Sequence, residues 1–266
     1  MRMPVLFLGH GNPMHAVTED AFSKTLGELG ARLPAPKAIL CISAHWLTQG
    51  TFVTHVAQPK TIHDFFGFPK PLFEVQYKAP GSPELAERIY SQISKPGFEI
   101  QLDEQWGLDH GAWAVLRHLY PQANVPVVQL SIDTEQSLSF HYKLGMELRK
   151  LRDEGVLIVG SGNIVHNLRQ IKWEPNPPAS DWAVSFDEWV KSRLLARDFA
   201  ALASDDLWND VGESARMSVP SWDHWIPILY ALGASDEGDS LEFVYDAIEN
   251  GSIAMRSLVL GAGAKV

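Results

Sequence analysis

Apolar positions in this chain fall into two rhythms. Short unbroken runs occur at Val5-Leu6-Phe7-Leu8, from Ala38 to Ser43, from Val125 to Ile132 and from Val156 to Gly160. Runs of that length, bounded by turn residues, read as strands buried on both faces. Between them apolar residues recur at helical intervals. Glu19 to Leu33 carries Phe22, Leu26, Leu29 and Leu33 on one stripe and stops at Pro34 and Pro36. Ser82 before Pro83 reads as an N-cap, followed by the stripe Leu85, Ile89 and Ile93. Residues 134–153 read as an amphipathic helix with Leu138, Tyr142, Met146 and Leu148, closed by Gly155. A long helix is expected over 180–203 and a short apolar one over Trp222 to Leu232. Thr51 to His55, Leu241 to Tyr245 and Ile253 to Leu260 read as further β-segments. Residues 56–80 show no clear element, and the acidic run 205–219 reads as loop.

Apolar strands alternating with helices predict an α/β fold. The expectation is a single domain over residues 1–266. It has a central, mostly parallel or mixed sheet flanked by helices, with its site at the strand C-terminal edge. No internal repeat or Gly/Ser linker divides the 266 residues.

Composition narrows the function. Apolar residues make up 45% and charged residues 20% of the chain, enough for a packed core, which excludes disorder. No run approaches the ~20 apolar residues of a membrane helix. The net charge of −10 argues against a nucleic-acid partner, which calls for excess Lys and Arg. The lone Cys41 lies in an apolar run and reads as a buried, inert thiol. The opening residues lack the order of a secretory signal, so the expected location is cytoplasmic. Ten histidines and nine tryptophans are the unusual feature.

Three of the strand-like runs lead into a histidine: Val5–Leu8 to His10, Ala38–Ser43 to His45, and Val156–Gly160 to His166. A lone histidine reads more readily as a cap or core residue than as a ligand. Three at matching strand ends would gather imidazoles at one edge, as in a metal site without HxxxH or CxxC spacing. His224, flanked by Trp222 and Trp225, is a fourth candidate at a helix start. His110 follows Asp109, a candidate cap, and sits where a helix dipole favours an anionic neighbour. His63, beside Asp64 in the aromatic excursion, reads as a pocket wall or a solvated turn. His15, His55, His118 and His141 read as structural or surface residues. Phosphate-loop, dinucleotide and GxSxG signatures are absent; Gly160-Ser161-Gly162 follows a strand but lacks the third glycine.

Six ordered segments carry a resemblance: Phe7 to Met14 (FLGHGNPM), Ser43 to Trp46 (SAHW), Thr61 to Phe65 (TIHDF), Leu108 to Trp113 (LDHGAW), Gly162 to Arg169 (GNIVHNLR) and Asp223-His224. Together they resemble the class III extradiol ring-cleaving dioxygenases, in particular the DOPA 4,5-dioxygenase family, over residues 4 to about 260. The resemblance implies one mononuclear divalent metal ion, with Fe²⁺ for turnover and Zn²⁺ in the purified protein. It assigns His10, His45 and His224 as ligands, and His166 as acid/base or as a fourth ligand round zinc. His110 matches a histidine near the substrate and is, with His166, an expected catalytic residue that could supply a proton. It implies a small catechol and O₂ as partners, with 4,5-extradiol cleavage of a DOPA-like ring to seco-DOPA, which cyclises to betalamic acid. Trp46, Phe65, Trp113, Trp225 and His63 are the expected pocket wall, with Phe66 a further candidate. Arg169 and Lys172 are candidate partners for a substrate carboxylate. The alternative reading is a zinc-dependent hydrolase or a zinc-binding protein on the same scaffold.

Overall fold

The computed structural model describes residues 2–261. Its strands are β1 (Val5–Gly9), β2 (Ala38–Thr48), β3 (Thr51–Thr54), β4 (Ile100–Asp103), β5 (Val127–Asp133), β6 (Val156–Gly162), β7 (Leu241–Tyr245), β8 (Ile248–Glu249), β9 (Ile253–Ala254) and β10 (Ser257–Leu260). Eight of them form one sheet in the order β4-β3-β5-β2-β6-β1-β10-β7, and β8 and β9 pair separately. The centre is parallel, with β6 between β1 and β2 and β5 on the far side of β2. The β3/β5, β1/β10 and β10/β7 pairs are antiparallel, so the sheet is mixed. All five residues of β1 and all seven of β5 and β6 are buried, as expected of strands covered on both faces.

The helices are α1 (Ala21–Arg32), α2 (Lys70–Phe73), α3 (Pro83–Ile93), α4 (His110–Leu119), α5 (Leu138–Leu148), α6 (Asp181–Leu195), α7 (Phe199–Leu202), α8 (Leu207–Val211), α9 (Glu213–Ser218) and α10 (Ile226–Ala234). The two-residue period of a strand distributes them between two cores. On β1, Val5 and Phe7 join the core that holds the stripes of α3, α5, α6 and α10. Leu6 and Leu8 join the opposite core, under α1 and α4. The α10 helix is buried on every side, which its sequence (IPILYALGA) permits. It meets α5 so closely that a Cβ on Gly145 would collide with the backbone of Tyr230.

Ser82 caps α3 through Leu85 N–H, and Asp109 caps α4 through Ala112 N–H, as the sequence indicates. Several expectations are corrected. The second strand does not stop at Ser43; it continues to Thr48 across a register irregularity between Ile42 and Leu47. The acidic run 205–219 is not loop, because Leu207, Ala215 and Ser218 bury one side of α8 and α9. The 180–203 helix breaks at Arg197, whose φ is 58°, so α6 and α7 are separate. The helix expected over 134–153 ends at Leu148 and tightens into a 3₁₀ turn over Arg149–Glu154. Edge strand β4 carries no apolar run: only Ile100 of its four residues is buried.

Candidate metal centre and substrate cavity

Parallel neighbours end at one edge of a sheet, and here that edge gathers histidines. His10 follows β1, and its N–H bonds the carbonyl of Gly162, the last residue of β6. His45 lies within the irregular stretch of β2, with its N–H on Ser43 Oγ at 3.3 Å. His110 opens α4. His166, four residues past β6, is pinned by its N–H to the Ser218 carbonyl at 2.9 Å. His224 precedes α10, and its carbonyl accepts Asn163 N–H at 2.9 Å. A Cβ on Gly162 would strike that carbonyl, so glycine is what lets the His224 turn approach β6.

Each ring of four of these five is oriented from behind. His10 Nδ1 lies 3.1 Å from Ser161 Oγ, and that hydroxyl donates to the Gly111 carbonyl at 2.6 Å. Ser161 therefore accepts from His10, which puts the proton on Nδ1. His224 Nδ1 donates to Asp223 Oδ2 at 2.7 Å. Asp64 Oδ2 accepts from His110 Nδ1 at 2.9 Å and lies 3.4 Å from His45 Nδ1. Asp64 Oδ1 accepts His110 N–H at 2.9 Å. Carboxylate or hydroxyl behind imidazole is how metal-ligating histidines are held, leaving Nε2 as a bare lone pair. His10 Nε2, left as an acceptor, and His45 Nε2 then converge to 3.0 Å, so the two ring nitrogens point at one place. A cation resolves that juxtaposition, so the residues fit a metal ion.

Burial and the neighbouring imidazoles hold His10 and His45 well below the ordinary histidine range, in the neutral form a metal needs. Burial, then His224, pushes His166 down as well. Burial works against the Asp64 and Asp223 carboxylates, but their bonds to His110 and His224 prevail and lower both.

Two triads share His10 and His45. Donor atoms of His10, His45 and His110 lie within 4.8 Å of one another, a group able to hold one metal ion. The rings of His10, His45 and His224 form a near-equilateral triangle with centroids 5.0, 5.2 and 5.1 Å apart. His45 and His110 are closer, at 3.9 Å. His166 stacks on His224 at 3.5 Å and 8°. No protein group bonds the His166 ring among the described residues.

These histidines open on a cavity of about 670 Å³ lined also by Asn12, Phe65, Phe66, Phe68, Arg169 and Trp173. Phe65 stands where the sequence expects a wall, but four other residues named with it do not line the cavity. Trp46 is buried and stacks on Trp106 at 5.5 Å, because it alternates with His45 across a strand. Trp113 is buried with its indole N–H on the Ile62 carbonyl at 2.7 Å. Trp225 is buried against Phe186. His63 bonds the Val75 carbonyl at 3.0 Å and packs behind Phe65. Lys172 likewise turns away, to the Pro178 carbonyl at 2.7 Å. The residues the sequence reading missed are the orienting groups: Ser161, Asp64 and Asp223. A signal for two of them was present, since both aspartates adjoin a histidine in sequence.

Comparison with known proteins agrees with the geometry. A family described as the catalytic LigB subunit of aromatic ring-opening dioxygenase matches residues 4–256. A protein named 4,5-DOPA dioxygenase extradiol from Escherichia coli K12 is 44% identical, over 98% of this chain and 95% of its own. A Beta vulgaris protein of the same name is 38% identical, over 94% of each. A crystal structure of an E. coli K12 protein superposes with TM-score 0.81 at 40% identity, covering 98% of this chain and all of that one.

Proposed function

The chain belongs to the LigB family of aromatic ring-opening dioxygenases, and from that premise we propose that it cleaves a DOPA-like catechol on the extradiol side. Both atoms of O₂ enter the product. With DOPA, 4,5-cleavage gives seco-DOPA, which closes to betalamic acid without the enzyme. Residues 1–266 act as one catalytic unit in this reading. The cytoplasm is its proposed place: Cys41 is a free, buried thiol, and no helix among the described residues is long and apolar enough to cross a membrane.

The observation that carries the reading is the His10–His45–His224 triangle. Three imidazoles that would hold one ion stand round it with their ring centres well separated and nearly evenly spaced. The three spacings of 5.0–5.2 Å support these residues as the ligands. The His45–His110 spacing of 3.9 Å is too short for both rings to bind one ion in that arrangement, which favours His224 over His110. The stacked His166–His224 pair disfavours His166 as a fourth ligand for the same reason. His166 is then the free acid/base. We assign Fe²⁺ to turnover and Zn²⁺ to a substitute.

A bound divalent ion supplies Lewis acidity toward the catechol oxygens and, as iron, the redox capacity that O₂ requires. The chain's own residues do the rest. His166 takes a catechol proton on a ring nitrogen that no protein group occupies, and returns it when the ring opens. His110, with its Nδ1 proton committed to Asp64, presents Nε2 as an acceptor that orients the substrate hydroxyl. Phe65 and Phe68 wall the ring from water.

Metal-free protein reconstituted anaerobically with Fe²⁺ or with Zn²⁺, then given L-DOPA and O₂, tests the proposal. Yellow ring-opened product with one O₂ consumed per product, with iron alone, is the expected result. Product with zinc when iron is excluded would overturn the iron assignment. Absence of product from a panel of catechols with either metal would overturn the reaction and favour the hydrolase.

A further inference from the structure

We infer that Arg169 reads a carboxylate on the substrate's side chain, and that the cavity does not read the amine. The inference rests on the catechol-cleavage reading above and names the substrate class: catechols with a carboxylate on a short side chain.

Arg169 is the one lysine or arginine among the residues lining the cavity. Arg169 is exposed at the cavity's rim, on a turn whose backbone is fixed. It sits in the 3₁₀ turn Leu168–Gln170, three residues after His166. Its own N–H bonds Asn167 Oδ1 at 3.1 Å, and the buried Asn167 is anchored through Nδ2 to the Met217 carbonyl at 2.7 Å. The guanidinium itself has no protein partner among the described residues, unlike Arg152, Arg256, Arg193 and Arg197, which are all committed. An uncommitted planar fork of donors facing a cavity is suited to a carboxylate.

Opposite charge is missing from the same wall. The cavity's two carboxylates are Asp64 and Asp223, and each is tied to a histidine Nδ1. Asp64 spends both oxygens on His110, and the second oxygen of Asp223, Oδ1, has no partner among the described residues but is buried away from the cavity's open side, so neither presents an accessible carboxylate to a substrate ammonium. Phe66 and Trp173 line the cavity yet are 92% and 84% exposed, leaving apolar surface for the methylene stem of an aryl side chain to cover. The histidines grip the diol end, the phenylalanines the ring, and Arg169 the far acid.

Four catechols separate the groups: 4-ethylcatechol has neither, dopamine the amine, 3-(3,4-dihydroxyphenyl)propionate the carboxylate, and L-DOPA both. Anaerobic binding to the metal-loaded protein is followed by tryptophan fluorescence and calorimetry, and turnover is measured separately. The carboxylate tightens binding about tenfold, and this gain appears in KM rather than kcat. The amine changes affinity by less than about twofold. Arg169→Gln collapses the carboxylate ratio to about one, and Arg169→Lys keeps part of it. Because the ratio is taken within each variant, a loss of folded protein does not imitate the effect. A carboxylate ratio near one in the parent protein, or a ratio that survives Arg169→Gln, overturns the inference. So does L-DOPA binding about tenfold more tightly than the propionate. If the ratio behaves as expected but no ring opens, the carboxylate subsite stands and the proposed reaction falls.

Discussion

Two regions of this molecule bury polar side chains, and they do so in opposite ways. Arg152, under the antiparallel side of the sheet, is 1% exposed, and each of its nitrogens is used. Its Nε donates to the Met3 carbonyl at 2.8 Å and its Nη1 to the Ala234 carbonyl at 2.9 Å, while Nη1 and Nη2 grip Asp239 at 2.7 and 3.0 Å. At the opposite edge, His10, His45 and His224 are satisfied on one side only. Their Nδ1 atoms face Ser161, Asp64 and Asp223, while the His10 and His45 Nε2 atoms converge to 3.0 Å. A closed network serves the fold, whereas a half-closed one presents its other side to a cavity.

Substitutions sharpen that contrast, and the largest effects fall on function. His166→Ala lowers turnover by about 10²–10⁴-fold while the metal content measured by mass spectrometry stays at the parental level. His224→Ala instead removes the metal, reducing affinity by more than the about 10–100-fold that loss of an outer partner costs. If the two variants behave alike, the division between ligand and acid/base is wrong. On the other side of the comparison, Arg152→Met leaves the Asp239 carboxylate without its main partner. It costs about 3–5 kcal/mol in denaturant unfolding, with activity per folded molecule retained. Loss of metal in that variant would mean the two networks are not independent.

Smaller effects test the orienting groups. Asp223→Ala weakens metal binding about 10–100-fold without removing a ligand. The smallest is a pH effect at His15. Burial opposes its charge, but Glu249 at 2.8 Å and Asp20 at 2.6 Å outweigh burial and raise its pKa. A raised histidine contributes stability that is fully present below the ordinary value of 6.5 and is lost as pH rises through the higher folded value. His15→Gln therefore flattens the fall of Tm across that window by about 2 °C. An unaltered slope would show that the triad is not charged in the folded protein.

Much of the frame was legible because strands buried on both faces leave unbroken apolar runs; β1, β5 and β6 fall close to where those runs lie. Edge strand β4 was not, since Gln101 and Leu102 face solvent and its signal is a single Ile100. The histidines His10, His45, His110, His166 and His224 could be singled out by their place after apolar runs and beside aspartates, and the fold brings all five to one cavity. Which aromatic residues join them could not be read from adjacency. Trp46 is next to His45 and Trp225 next to His224, yet a neighbour in a strand points to the opposite face, and Trp225 turns into the core with α10. Ser161 escaped notice as an orienting group because its partner, His10, is 151 residues away.

The central claim is that three imidazoles bind one ion while His166 stands free beside it. A crystal structure of the protein loaded with Fe²⁺ under anaerobic conditions tests this directly. The account predicts Nε2 of His10, His45 and His224 at about 2.0–2.2 Å from the metal, with both His166 nitrogens beyond about 3 Å. His166 at bonding distance, or His110 in the place of His224, would contradict it.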